Sequence, residues 1–277
     1  MKRWFTTFAA VLFCSAALRA DVTIVQTTTV EGGMAAMAAQ AGQNVSPKIT
    51  TRVKGLKTRN DVETGAMSVV TIIDLTEKQL IVLNVAQKTA TIRSLSAPPA
   101  TTGTTAPVTG PSVDGSMKAT GRTQTIDGVK TDEFNFTTTV DMSTMGGGNV
   151  PPEAATMMQG MKMNMAGSIW VAKDVPGASE YMAFQKAAAS SDMAGAAMGA
   201  AGMSIPGMDK LTKAMSAANG LAYLTEMTMT IEGTGQLADM MKQMGPMKIT
   251  QKVSSVTTDA ISDDQFKVPA GYTINKQ

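Results

Sequence analysis

The sequence contains no histidine and a single cysteine, and aromatic residues are only 4% of it: two Trp, three Tyr and seven Phe. Without histidine there is no Ser-His-Asp or Cys-His triad, no imidazole acid-base chemistry and no His-ligated metal. Few aromatics leave little with which to build stacking platforms for bases or sugars. Nothing matches a nucleophile elbow, a Ser-x-x-Lys pair or a phosphate loop; Gly146–Gly148 lack the Lys-Ser/Thr that would follow. The adjacent carboxylates Asp132-Glu133 and Asp263-Asp264 read as turn or solvated positions, because neighbours on a strand point to opposite faces. The composition thus points away from an enzyme, and no cofactor is expected.

What the chain does have is apolar residues at 43%, enough for a core over 277 residues, and 24 methionines. Residues 1–20 read as a secretory signal peptide, with Lys2 and Arg3 ahead of an apolar run from Phe5 to Ala17 and a small residue, Ala20, at the cleavage position. That run is too short to span a bilayer. A second reading makes Cys14 the acylated residue of a lipoprotein, although Phe13 stands where that peptidase prefers a small residue. Of the 24 basic residues, Lys2, Arg3 and Arg19 fall in this segment, so the rest balance the 22 acidic ones to within one charge. A near-neutral chain with no basic block gives no reason to expect nucleic-acid binding. No later segment has about 18 consecutive apolar residues, so no transmembrane segment is expected in the mature chain. The expected location is periplasmic or secreted.

Residues 21–277 read as one domain. Asp21–Val30 opens as a strand, and Gly32–Pro47 as a loop or short helix. Lys48–Val62 suggests two exposed strands. Val69–Asp74, Gln79–Asn84 and Lys88–Arg93 follow at the spacing of an antiparallel meander. Ala97–Ser116, rich in Pro, Thr and Gly, reads as a flexible insert. Asp127-Gly128 between two strand-like runs is a hairpin signal, and Met161–Val171, Leu221–Glu232 and Met247–Val256 read as further strands. Helices are expected at Ala178–Ala189, around Met208, Leu211 and Met215, and around Leu237, Met240, Met241 and Met244. The class is α+β: a long, curved antiparallel sheet with a few helices packed on one side.

The methionines fall on strand faces. Met161, Met163 and Met165 alternate with Lys162 and Asn164, and Ile169 continues their face; Met227 and Met229 alternate with Glu226 and Thr228. Phe134 and Phe136 share a face of the strand after Asp127-Gly128. These eight residues, Phe134, Phe136, Met161, Met163, Met165, Ile169, Met227 and Met229, are the candidate lining of a hydrophobic ligand site, with Trp170 on the opposite face. Unbranched, polarizable thioethers suit a surface that must fit varied apolar shapes. The same residues also read as a filled core, which would make the protein a structural or scaffold component of the envelope. A third reading is a Cu(I) site built on the dense run Met157–Met165, although a strand presents its methionines as a row rather than converging on one point.

Three stretches carry a family resemblance: Ile72–Ile92; Ile126–Phe134 followed downstream by Gly167–Asp174; and Phe266–Tyr272. Together they resemble an uncharacterised family of bacterial exported proteins, a domain of unknown function similar in layout to the periplasmic lipoprotein carriers of the Lol pathway (LolA/LolB-like). The family pattern carries an aromatic where Ala90 stands and often a cysteine where Asp132 stands. The resemblance implies a strongly curved antiparallel half-barrel with helices on its concave side, a space that takes acyl chains in the carriers. Lipid, a lipidated protein or other envelope proteins are the partners it implies, and it carries over no catalytic residue.

Overall fold

The computed structural model describes residues 21–40, 46–65, 67–95, 112–142, 160–190, 217–234 and 236–276. The expected signal peptide, Met157 and Met158, and the expected helix around Met208, Leu211 and Met215 lie outside them. The described part is mostly β: one open sheet of twelve strands in the order β12-β6-β5-β4-β3-β2-β1-β11-β10-β9-β8-β7. The strands are β1 (Val22–Glu31), β2 (Lys48–Lys54), β3 (Lys57–Thr64), β4 (Met67–Asp74), β5 (Gln79–Asn84), β6 (Thr89–Ser94), β7 (Ser112–Ile126), β8 (Val129–Asp141), β9 (Lys162–Ala172), β10 (Leu221–Glu232), β11 (Met247–Thr257) and β12 (Thr273–Lys276). Three helices accompany them: α1 (Gly33–Gln40), α2 (Ala178–Ser190) and α3 (Gln236–Gln243). No helix among the described residues is long and apolar enough to cross a membrane.

The strand layout departs from the sequence reading in two places. The sheet is mixed rather than wholly antiparallel, because β12 pairs with β6 in parallel. The insert read as ending at Ser116 gives way at Ser112 to β7. Composition misleads there because an edge strand pairs on one side only and needs little apolar alternation.

Turn chemistry builds the meander locally. Asp74 Oδ1 accepts from the amides of Thr76 and Glu77, and the turn closes with Lys78 at φ 51°. The next hairpin repeats the device: Asn84 Oδ1 accepts from Gln87 N, and Lys88 stands at φ 50°. Asp127 and Gly128 both adopt positive φ, 49° and 82°, as a two-residue hairpin whose twist matches its strands requires.

The first strand lies in the middle of the sheet, beside the last but one. β1 lies between β2 and β11, so the early strands run outward to one side and β7 to β11 return from the other. β11 pairs with β1 as far as Thr257, and β10 pairs with β9 as far as Leu221, but β10 and β11 separate beyond Leu224–Lys252. Register shifts at Val25/Gln26 and Ala222/Leu224 mark this fork. Helix α2 packs there: its Phe184 and Ala178, with Val175 just before it, join Val22, Ile24, Val53 and Val253 with Leu221, Tyr223, Trp170 and Ala172 in the largest core cluster.

A second core lies toward β6. After β11 the chain crosses one face of β3 to β6 before adding β12. Ile261 and Phe266 bury themselves against Val70, Ile72, Ile81, Leu83 and Ala90, with Val268 and Tyr272 alongside. Polar straps hold this crossing: Lys54 Nζ donates to Ile261 O at 2.6 Å, Asp21 Oδ2 accepts from Ile261 N at 2.6 Å, and Arg59 donates to Gln265 O at 3.0 Å. Asp263 ion-pairs with Lys54, whose hydrogen bond holds the Asp263 carboxyl below its ordinary range.

Candidate functional site

Strand alternation sorts β8 to β11 into two unlike faces. On one, register lines run Phe136–Gly167–Met227–Ile249, Thr138–Met165–Met229–Met247 and Val140–Met163–Ile231. Phe134 lies opposite Ile169 on the same side. Seven of the eight proposed lining residues are thereby brought together on one face. Phe136 and Ile169 are buried, whereas Phe134, Met163, Met165, Met227 and Met229 are half-buried. Ala218 closes one end of the patch over Phe136, Ile169 and Val171.

Met161 is the exception. It precedes β9, is 3% exposed, and lies so close to Gly233 that a Cβ there would meet its Cα and Cγ at 3.1 Å. It is packed into the end of the sheet rather than standing in the row.

Two details of this face were not visible in the sequence. Thr138, in line with Met165, is 3% exposed, and its Oγ1 has no hydrogen-bond partner among the described residues. An orphaned buried hydroxyl costs on the order of 1–3 kcal/mol. The other is the helix that joins β10 to β11. The apolar set expected there included Met240, but Met240 is 54% exposed, while Ala238 is fully buried.

The opposite face is polar and holds an open groove of about 620 Å³. Glu133, Asn135, Thr137, Ser168, Glu226, Thr228, Lys248 and Thr250 line it, together with Ala166 and with Phe136, Gly167, Met227 and Ile249 of the same strands. The sequence signals this face only as the polar alternates between the methionines. Glu133 is buried and engaged, accepting from Thr120 Oγ1 at 2.8 Å and from Arg122 at 3.3 Å; Arg122 in turn lies 5.6 Å from the Trp170 ring centre. Trp170 faces this side, opposite Glu133, as its alternation requires. By register Glu226 stands two strands and two residues from Glu133, roughly 12 Å at ordinary strand spacing. That is wider than the separation at which two carboxylates share one scissile bond. Asp132, on the other side of its strand, bonds Lys173 at 2.8 Å, and this hydrogen bond holds its carboxyl below the ordinary range.

The sheet bends over this polar face. Lys252 on β11 ion-pairs at 2.8 Å with Asp127 at the tip of the β7–β8 hairpin. In a flat sheet three strand spacings, about 14 Å, would separate β11 from β8, so the tip leans toward β11 to make this contact.

No family model matches the chain, and no curated protein does. Among solved structures, the crystal structure of an uncharacterized conserved protein from Thermus thermophilus aligns with 94% of this chain and 92% of its own, at 7% identity and a TM-score of 0.38.

Proposed function

We propose that this is an exported, non-enzymatic protein of the bacterial envelope that holds a hydrophobic ligand, a lipid or the acyl chains of a lipidated protein, on the methionine face of its sheet, which lies outside the bend rather than on the concave side that the LolA-like resemblance implies. The observation that carries the reading is the register itself: it gathers Phe134, Phe136, Met163, Met165, Ile169, Met227 and Met229 on one side, while the alternate residues, Ala166 and Trp170 apart, are hydroxyls, amides and charges. Half-burial of the methionines leaves them apolar area still to lose to a ligand. Burying an acyl chain gains roughly 0.8 kcal/mol per methylene, so a long chain supplies on the order of 10 kcal/mol before the cost of association is subtracted. The orphan hydroxyl of Thr138 adds a polar point to an apolar face, suited to a ligand ester or carboxyl group.

The test is native mass spectrometry of the protein purified from a periplasm, with organic extraction of the same sample. Near-stoichiometric lipid is expected. A clean apo mass, with no uptake of added fatty acid or lipopeptide, would sink the carrier reading in favour of the structural one, to which the burial of Phe136 and Ile169 lends its support. Thr138→Val separates the two further. Replacing an unpartnered hydroxyl by a methyl of the same shape should leave the unfolding midpoint equal or higher, while lipid uptake falls several-fold. Unchanged uptake would remove Thr138 from the site.

A further inference from the structure

The sheet is open, so it has two outer strands, β12 and β7. β12 is a four-residue strand, but β7 is fifteen residues long and pairs only with β8 among the described residues. Its first half is regular. From Ser112 to Ala119 each residue keeps register with β8; the register then shifts between Ala119 and Thr123, where Gly121 takes φ 78°. A long regular edge presents a row of backbone donors and acceptors to any second strand, and proteins that stay monomeric usually break such an edge. Here the break comes only at Thr120–Arg122 and leaves the run before it intact.

The side chains on that run are self-complementary. Asp114, Ser116 and Lys118 alternate on one face and are exposed, and neither Asp114 nor Lys118 has an ion-pair partner among the described residues. Gly115 and Met117 alternate on the other. A second copy of β7 laid antiparallel along the edge, with Ser116 opposite Ser116, sets Asp114 against Lys118 and Lys118 against Asp114. It also sets Met117 beside Gly115, which has no side chain to compete for the space. The two-fold axis passes through Ser116, as a closed symmetric dimer requires.

The alternative registers fail. Face matching allows only shifts of two residues in the sum of paired positions. One step either way leaves both charges opposite neutral residues. Two steps one way bring Asp114 against Asp114, and two steps the other way bring Lys118 against Lys118; like charges directly opposite are destabilising. The bulge ends the ladder just past Ala119, so the pairing has a defined length as well as a defined register.

We infer that the protein self-associates through β7, two copies pairing their edges antiparallel about Ser116 to join their sheets, with reciprocal Asp114–Lys118 pairs setting the register. The methionine faces of the two copies would then be continuous across Met117. The inference stands on the edge alone and does not depend on the ligand proposed above.

Sedimentation of the purified full chain over a concentration series tests it, with Asp114→Lys, Lys118→Asp and the double exchange. Each single change places like charges opposite one another twice and should weaken the dimer at least about tenfold; the double exchange should restore it, because it rebuilds both pairs with signs reversed. All three changes are at exposed positions, and restoration in the double exchange separates lost pairing from lost folding. Ser116→Cys should form an intermolecular disulfide on mild oxidation, and Thr125→Cys, beyond the bulge, should not. A chain that is monomeric throughout overturns the inference. So does a dimer indifferent to the single charge reversals, or one that Thr125→Cys links as readily as Ser116→Cys.

Discussion

Gly167→Ala is expected to be among the most damaging single substitutions in the protein. A Cβ on Gly167 would stand 2.0 Å from the carbonyl oxygen of Glu226, 2.7 Å from the Cα of Met227 and 2.9 Å from the Glu226 carbonyl carbon. All three are backbone atoms of β10, so no side-chain rotation relieves the clash. Either β9 and β10 part in the middle of an eleven-pair ladder, or β9 distorts and loses its register with β8 as well. Phe136 lies opposite Gly167 on β8, an aromatic beside a glycine that has no side chain of its own to pack. The expected loss is about 4 kcal/mol or more, in the range reserved for breakdown of a core contact. Chemical denaturation measures it, with Ala166→Ser as control; Ala166 is exposed, and its substitution should stay within about 0.5 kcal/mol of the parent. A parental midpoint for Gly167→Ala would show that the two strands do not approach this closely.

Phe266→Ala should cost about 3–5 kcal/mol, the usual loss for truncating a buried phenylalanine. Phe266 is 4% exposed and carries the crossing segment onto Val70, Ile72, Leu83 and Ala90. It sits in a one-turn 3-10 helix, Asp263–Phe266, whose Ser262 Oγ accepts from Asp264 N. The Lys267–Asp264 ion pair beside it joins two exposed groups and contributes little on its own. Lys267→Ala is therefore expected to be nearly neutral, which isolates the apolar anchor as the cause. Local consequences should accompany the global loss. With the anchor gone, β12 keeps its parallel ladder to β6 and only the lighter packing of Ile261, Val268 and Tyr272, and amide exchange at Thr273–Lys276 and along β6 should accelerate more than in β9 or β10. Uniform acceleration across the sheet would mean that the crossing is not a separate unit.

The hairpins are legible in the sequence because their cause is local. Asp74 with Lys78, Asn84 with Lys88, and Asp127-Gly128 each hold within a few residues everything their turn needs. The strand faces are legible for the same reason: Met163, Met165, Met227 and Met229 declare their side by alternation alone. Joining those faces is not legible, since it depends on pairings such as Val25 with Ser255 that no local pattern announces. The parallel addition of β12 is invisible because Thr273, Ile274, Asn275 and Lys276 are all exposed and show no inward face. Ser112–Ser116 escapes notice for want of apolar residues, and Met161 groups with its neighbours because periodicity cannot show where a strand starts. The polar groove is present only as the complement of the methionine rows; nothing about Ser168 or Glu226 by itself marks a concavity.

The place of β1 in the middle of the sheet has a kinetic consequence. Its partner on one side, β2, arrives within thirty residues, but β11 lies more than two hundred residues further along the chain. The meander from β1 to β6 can therefore form early, from local contacts that close quickly. Until β11 emerges, the free side of β1, with Val22 and Ile24 beside it, is an unpaired edge on a half-built sheet. Such an edge can recruit the wrong strand, from the same chain or from another. Joining the halves closes the longest loop in the molecule, so the slowest folding phase should report on Thr23–Thr257 pairing rather than on any hairpin. A chain that crosses a membrane before folding would meet this hazard on the far side, where a holding partner for the nascent edge would do most good.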